Sequence, residues 1–73
     1  MQHFPPTWHR SNGEIIACNE KIKVMQQNLE ELRQILQDAY EDGLLMDIDG
    51  QQIKQVFHAL IDNLSNPYKD DHV

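Results

Sequence analysis

The stretch Ile15-Ile16-Ala17-Cys18-Asn19-Glu20-Lys21-Ile22-Lys23-Val24-Met25-Gln26-Gln27-Asn28-Leu29-Glu30-Glu31-Leu32-Arg33-Gln34-Ile35-Leu36-Gln37-Asp38-Ala39 decides the fold. Ile15, Cys18, Ile22, Met25, Leu29, Leu32, Leu36 and Ala39 recur at alternating spacings of three and four. That is a heptad seam, the pattern of a helix that packs along its length against other helices. Between these positions stand good helix formers such as Glu20, Lys23, Gln26, Glu30 and Gln34. Ile35 and Tyr40 widen the stripe near its end, which suits a bundle better than a two-stranded coil.

The ends of this helix are read from local chemistry. Ser11-Asn12-Gly13-Glu14 has the form of a capping box, in which the Ser11 hydroxyl takes the Glu14 N–H and the Glu14 carboxylate takes the Ser11 N–H. It predicts a first helix from about Asn12 to about Asp42, stopped by Gly43. Such a helix would be ~45 Å long at 1.5 Å per residue. Asp38, Glu41 and Asp42 oppose the macrodipole in its last turns. A local rule broken without visible gain marks a place to look for function.

Gly43-Leu44-Leu45-Met46-Asp47-Ile48-Asp49-Gly50 reads as the connection, with its apolar residues packed over the end of a hairpin. Asp47 and Asp49 before Gly50 have part of the spacing of a calcium loop, but Leu45 and Val56 fall where principal ligands belong. Asp49 is better read as the cap of a second helix, with Gln52 three residues on. That helix spans about Gln51 to Ser65, with Ile53, Val56, Phe57, Leu60, Ile61 and Leu64 on one face. Asn66-Pro67 ends it, and residues 67–73 form an acidic tail. His58 sits beside the apolar face, as an interface histidine would.

Residues 1–10 precede the hairpin. Pro5-Pro6 forbids helix and favours an extended path. A disordered tail seldom carries both Phe4 and Trp8, so the segment folds back over the seam or serves as a docking peptide. His3 and His9 lie six apart with no other ligand nearby, so no metal or other cofactor is expected.

Composition bounds the rest. A chain of 73 residues is at most one marginal domain, and its single cysteine, Cys18, excludes an internal disulfide. On an apolar stripe Cys18 reads as a small buried hydrophobe in a reducing compartment. The start lacks the basic and apolar regions of a signal peptide, and no run approaches a membrane span, so a cytoplasmic location is expected. Net charge is −6. Residues 1–37 are neutral, with four acids against four bases; residues 38–73 carry eight acids and two bases. Such a surface repels phosphate backbones, so no direct nucleic-acid ligand is expected.

The expected fold is therefore all-α: an antiparallel two-helix hairpin with an extended N-terminal segment. A short connection sets the second helix against the C-terminal half of the first. Ile15, Cys18, Ile22 and Met25 are then left uncovered, and a second copy would bury them in a four-helix bundle. Phe4 and Trp8 would finish the end of that interface. No nucleophile–base pair, phosphate loop or metal set supports catalysis. The reading is an interaction module, a homodimer that docks a protein partner through Asp38, Glu41, Asp42, Asp47 and Asp49. Its alternatives are a chaperone-like half-bundle stable only on a partner, and an acidic mimic of nucleic acid.

A further alternative comes from a resemblance. His58-Ala59-Leu60-Ile61-Asp62 with Leu64 and Tyr68 is similar in spacing to the Ser-Gln-Glu-Leu-Asp signature of the small sporulation-regulator phosphatases, two-helix hairpins that act on response-regulator phosphate. Asp62 matches; the Ser, Gln and Glu are absent and the loop is longer. The resemblance implies regulation of an aspartyl phosphate, and no residue role is carried over.

Overall fold

The structure, a computed structural model, describes residues 6–68. They hold two helices and no strands, an all-α arrangement: α1 spans Asn19–Leu45 and α2 spans Gly50–Asp62. The chain divides into two compact units, residues 1–37 and 38–73. The division falls where the charge changes from balanced to acidic.

In the first unit the helix begins seven residues later than the capping box implies. Residues 8–16 instead make a tight turn. Gly13 N–H donates to the Arg10 carbonyl at 2.9 Å, and Arg10 N–H donates to the Glu14 carbonyl at 2.7 Å. Ile16 N–H reaches the Trp8 carbonyl at 2.9 Å, and His9 lies opposite Ile15. This is a three-residue hairpin loop with glycine closing it, and Gly13 has the positive φ of 95° that the loop requires. The Glu14 N–H goes to Asn12 Oδ1 at 3.0 Å, not to the Ser11 hydroxyl. Two local solutions compete for the same four residues. Glycine in a first helical turn costs about 1 kcal/mol, whereas in the hairpin loop it is the favoured residue. The β-branched pair Ile15-Ile16 also favours an extended arm.

Within α1 the less exposed positions are Ile22, Leu29, Leu36, Tyr40 and Gly43, all but Tyr40 in one row at heptad spacing. Glu30 and Arg33 pair on the outer face at 2.6 Å. That pairing holds the Glu30 carboxyl below its usual range, first through the hydrogen bond and then through charge.

In the second unit α1 continues through Gly43, which is buried and does not stop the helix. A Cβ there would lie 2.5 Å from Ile53 Cδ1 and 3.3 Å from Ile53 Cγ1. Gly43 is thus a point of close approach between α2 and the last turns of α1. Lys54 Nζ lies 5.3 Å from the centre of the Tyr40 ring beside it, a cation–π contact. The helix ends on a Schellman motif. Ile48 N–H donates to the Gly43 carbonyl and Asp47 N–H to the Leu44 carbonyl, both at 3.0 Å. Asp47 takes the left-handed position with φ 65°, where glycine is usual. The connection is therefore residues 46–49, shorter than the sequence implies, and Leu44 and Leu45 belong to α1.

Asp47→Gly is expected to stabilise the chain by about 1 kcal/mol, because a β-carbon is strained in the left-handed region. A rise in the midpoint of thermal unfolding, followed by circular dichroism, checks it. A fall would show that the carboxylate itself holds the turn.

Asp49 caps α2 as expected, its Oδ2 accepting from the Gln52 N–H at 2.9 Å. The helix stops at Asp62, three residues short of Ser65. Asn63 falls in the bridge region at φ −89°, ψ 1°, and its N–H is shared among the carbonyls of the last turn. Beyond it Asn66 Oδ1 accepts from the Tyr68 N–H at 2.8 Å, a side-chain turn around Pro67 that competes with helix.

Candidate interaction surfaces

The N-terminal set does not form the single stripe that the spacing implies. Phe4 lies outside the described residues. Trp8 is half-buried in the first arm of the hairpin loop. Its indole Nε1 is shut from solvent and has no hydrogen-bond partner among the described residues. An unmatched buried donor costs about 1–3 kcal/mol. Ile15 is in the second arm, 63% exposed, and so leaves the helical seam. Ile16 is the half-buried member of that pair. Ile22 is half-buried in the first turns of α1, and Met25 lies at the border of exposure.

Cys18 requires a correction. It is exposed, not buried on a stripe. It stands just ahead of α1, and its carbonyl accepts the Ile22 N–H at 3.1 Å, which makes it the N-cap. Backbone N–H groups of Lys21 and Glu20 favour the thiolate, as do the charges of Lys21 and Arg10, and together they lower the thiol pKa. A depressed pKa stabilises the folded state above the unfolded thiol pKa, and that contribution fades as pH falls through the folded value. At pH 7 the folded chain should react with iodoacetamide faster than the urea-unfolded chain does. A slower reaction in the folded state would remove the capping role.

The acidic candidates belong to the second unit. Asp38, Glu41 and Asp42 lie in the last turns of α1 and are exposed. Asp47 occupies the left-handed position and the Asp49 carboxylate is engaged in capping. Leu44, Leu45, Met46 and Ile48, expected to pack over the hairpin end, are exposed instead, Leu45 at 86%. Leu44 alone reaches the start of α2, its Cδ2 lying 3.3 Å from where a Cβ on Gly50 would stand. Acidic groups and bare aliphatic side chains therefore share one turn. His58 and Asp62 are exposed on α2. Among the described residues no group of three or more His, Cys, Asp or Glu could hold a metal ion. No helix among them is long and apolar enough to cross a membrane.

The surface that sequence reasoning missed lies on α1. Leu32 and Ile35, the latter 64% exposed, remain open although the row through Leu29 and Leu36 is turned inward. The signal is in the sequence: Ile35 flanks the seam and widens it. Among the apolar side chains of α2 Ile53 is buried and Phe57 half-buried; Val56, Leu60 and Ile61 are exposed, as is Leu64 just beyond the helix. Compared with protein-family models, curated proteins and solved structures, the chain matches none.

Proposed function

We propose that the protein is a non-enzymatic helical interaction module that works as a homodimer and docks a protein partner through its acidic, aliphatic turn. The observation that carries this is the apolar surface left open on both helices. Among the described residues Ile53, at 9% exposure, is the one buried apolar side chain. Ordering the backbone costs about 1–2 kcal/mol per residue, and one isoleucine does not offset that. Burying a further large aliphatic side chain contributes about 1.5–3 kcal/mol, so association of open faces supplies what the single chain lacks. Two hairpins closing into a four-helix bundle is the arrangement that covers both helices at once. The partner-binding end is the turn after α1, where Leu45 and Met46 stand beside Asp47. Exposed aliphatics ringed by acids fit a partner with an apolar patch and basic rim. A single cysteine and no disulfide fit a cytoplasmic setting.

Light scattering on the purified chain tests the reading. The expected mass is twice 8.6 kDa, with a melting temperature that falls on dilution. A cooperative melt at the mass of one chain would overturn it. A non-cooperative, aggregating chain rescued only by a partner would favour the half-bundle, in which the open face of α2 is the partner's seat.

A further inference from the structure

The hairpin loop ahead of α1 brings together the parts of a backbone reaction that needs only water. Of the chain's five asparagines, Asn12 is the one followed by glycine. Asn12 and Gly13 are both exposed, and a Cβ on Gly13 would meet nothing within 4 Å. With no side chain of its own, Gly13 leaves its backbone nitrogen open to approach. The Asn12 side chain is already folded along the loop, its Oδ1 accepting the Glu14 N–H at 3.0 Å. The side-chain turn so formed spans Gly13.

We propose that Asn12-Gly13 is a self-modifying site, at which Asn12 closes to a succinimide and opens to aspartate or isoaspartate, undoing the loop. The Gly13 amide loses its proton to solvent, and its nitrogen attacks Asn12 Cγ. The new N–Cγ bond forms as the Cγ–Nδ2 bond breaks, and Nδ2 leaves as ammonia with a proton from water. Negative charge builds on Oδ1 during the attack, and the Glu14 N–H is a donor already in place for it. Water then opens the ring at either carbonyl. Opening at Cγ leaves aspartate, and opening at the backbone carbonyl leaves isoaspartate, with the chain running through the side-chain carbon. One water is consumed and one ammonia released, with no change of oxidation state.

The other asparagines show what singles this one out. Asn66 makes the same side-chain turn, its Oδ1 accepting the Tyr68 N–H at 2.8 Å, but Pro67 follows it and has no N–H to lose. Asn19 and Asn28 are fixed in α1, and Asn63 precedes Leu64, whose side chain obstructs ring closure. One bond restrains Asn12. The Gly13 N–H donates to the Arg10 carbonyl at 2.9 Å and must let go before the nitrogen can attack.

The product does not fit the loop. Isoaspartate lengthens the backbone between Arg10 and Glu14, and a hairpin turn of this kind closes at one length. The bonds from Arg10 N–H to the Glu14 carbonyl and from Ile16 N–H to the Trp8 carbonyl are then lost. Trp8, whose indole Nε1 is shut from solvent, becomes wet. It is the single tryptophan of the chain, so its emission reports the opening.

The full chain and a synthetic peptide of residues 9–16 are incubated together in mildly alkaline buffer and followed by peptide mass mapping. Aspartate and isoaspartate should accumulate at position 12 and at no other asparagine. The rate should lie within about tenfold of the peptide's, since a single exposed hydrogen bond has to open. Trp8 emission should move to longer wavelength in step with the conversion. Asn12→Ser, which keeps an acceptor for the Glu14 N–H but cannot close the ring, should show neither change. A chain still intact at Asn12 when the peptide is fully converted would overturn the site. Conversion without the emission shift, or the same shift in Asn12→Ser, would overturn the opening of the loop.

Discussion

Replacing Gly43 with valine should separate α2 from the end of α1. The first β-carbon already falls 2.5 Å from Ile53 Cδ1, well inside contact distance, and valine adds two methyl groups beyond it. Overpacking of this kind costs about 1–3 kcal/mol. For a domain of this size each kcal/mol lowers the melting temperature by about 4–8 °C. Alanine is the sharper probe. It gains about 1 kcal/mol in helix propensity and meets the same Ile53 methyl, so the two effects nearly cancel. Ile53→Val removes that methyl. The double variant Gly43→Ala, Ile53→Val should therefore be more stable than the sum of its singles, a positive coupling in a double-mutant cycle. Ile53→Ala, which empties the one buried apolar position among the described residues, should cost about 2–5 kcal/mol and leave this unit largely unfolded. Thermal melts followed by circular dichroism give all five values. Strict additivity would show that Gly43 and Ile53 do not share the close contact.

Leu32→Glu should convert the dimer to a monomer. Leu32 is 48% exposed in the single chain, so the glutamate itself is tolerated there. In an interface between two copies it would bury a carboxylate against apolar side chains where water is excluded, a penalty of several kcal/mol and a loss of affinity of about a hundredfold or more. Light scattering should then give the mass of one chain, with helicity falling as the open faces lose their cover. Leu45→Glu is the control. Leu45 is more exposed still, but it is the last residue of α1, at the turn, so the mass should stay that of a dimer. Ile22→Glu is a poorer probe, because Ile22 is half-buried and its replacement disturbs the chain as well as the interface. A Leu32→Glu variant that stays dimeric with unchanged helicity would place the interface elsewhere.

Much of the architecture was legible because it depends on local chemistry. Heptad spacing from Ile22 to Leu36 specifies a helix whatever surrounds it, and α1 covers that stretch. Asp49 caps α2 because a carboxylate three residues before an amide needs no distant partner. The errors arose where one short sequence satisfies two local rules. Ser11-Asn12-Gly13-Glu14 fits a helix cap and a hairpin loop, and the loop also uses Trp8 and Ile16, which lie outside the four-residue pattern. Moving the helix start from Asn12 to Asn19 took Ile15 out of the seam and turned Cys18 from a core residue into an exposed cap.

Gly43 draws the same line at the other end. By sequence alone glycine after a helical run reads as a stop, since its left-handed conformation costs little. The residue that takes that conformation is Asp47, and Gly43 stays helical because Ile53 occupies the space of its side chain. That requirement belongs to a contact between residues ten apart in the chain, which no local rule contains. The apolar stripe of α1 follows the same division. Its helical period was determined by the sequence, and it promised a face for packing. Which of its two rows turns inward, through Leu29 and Leu36, and which stays open, through Leu32 and Ile35, depends on what packs against the helix, and only the tertiary structure decided it.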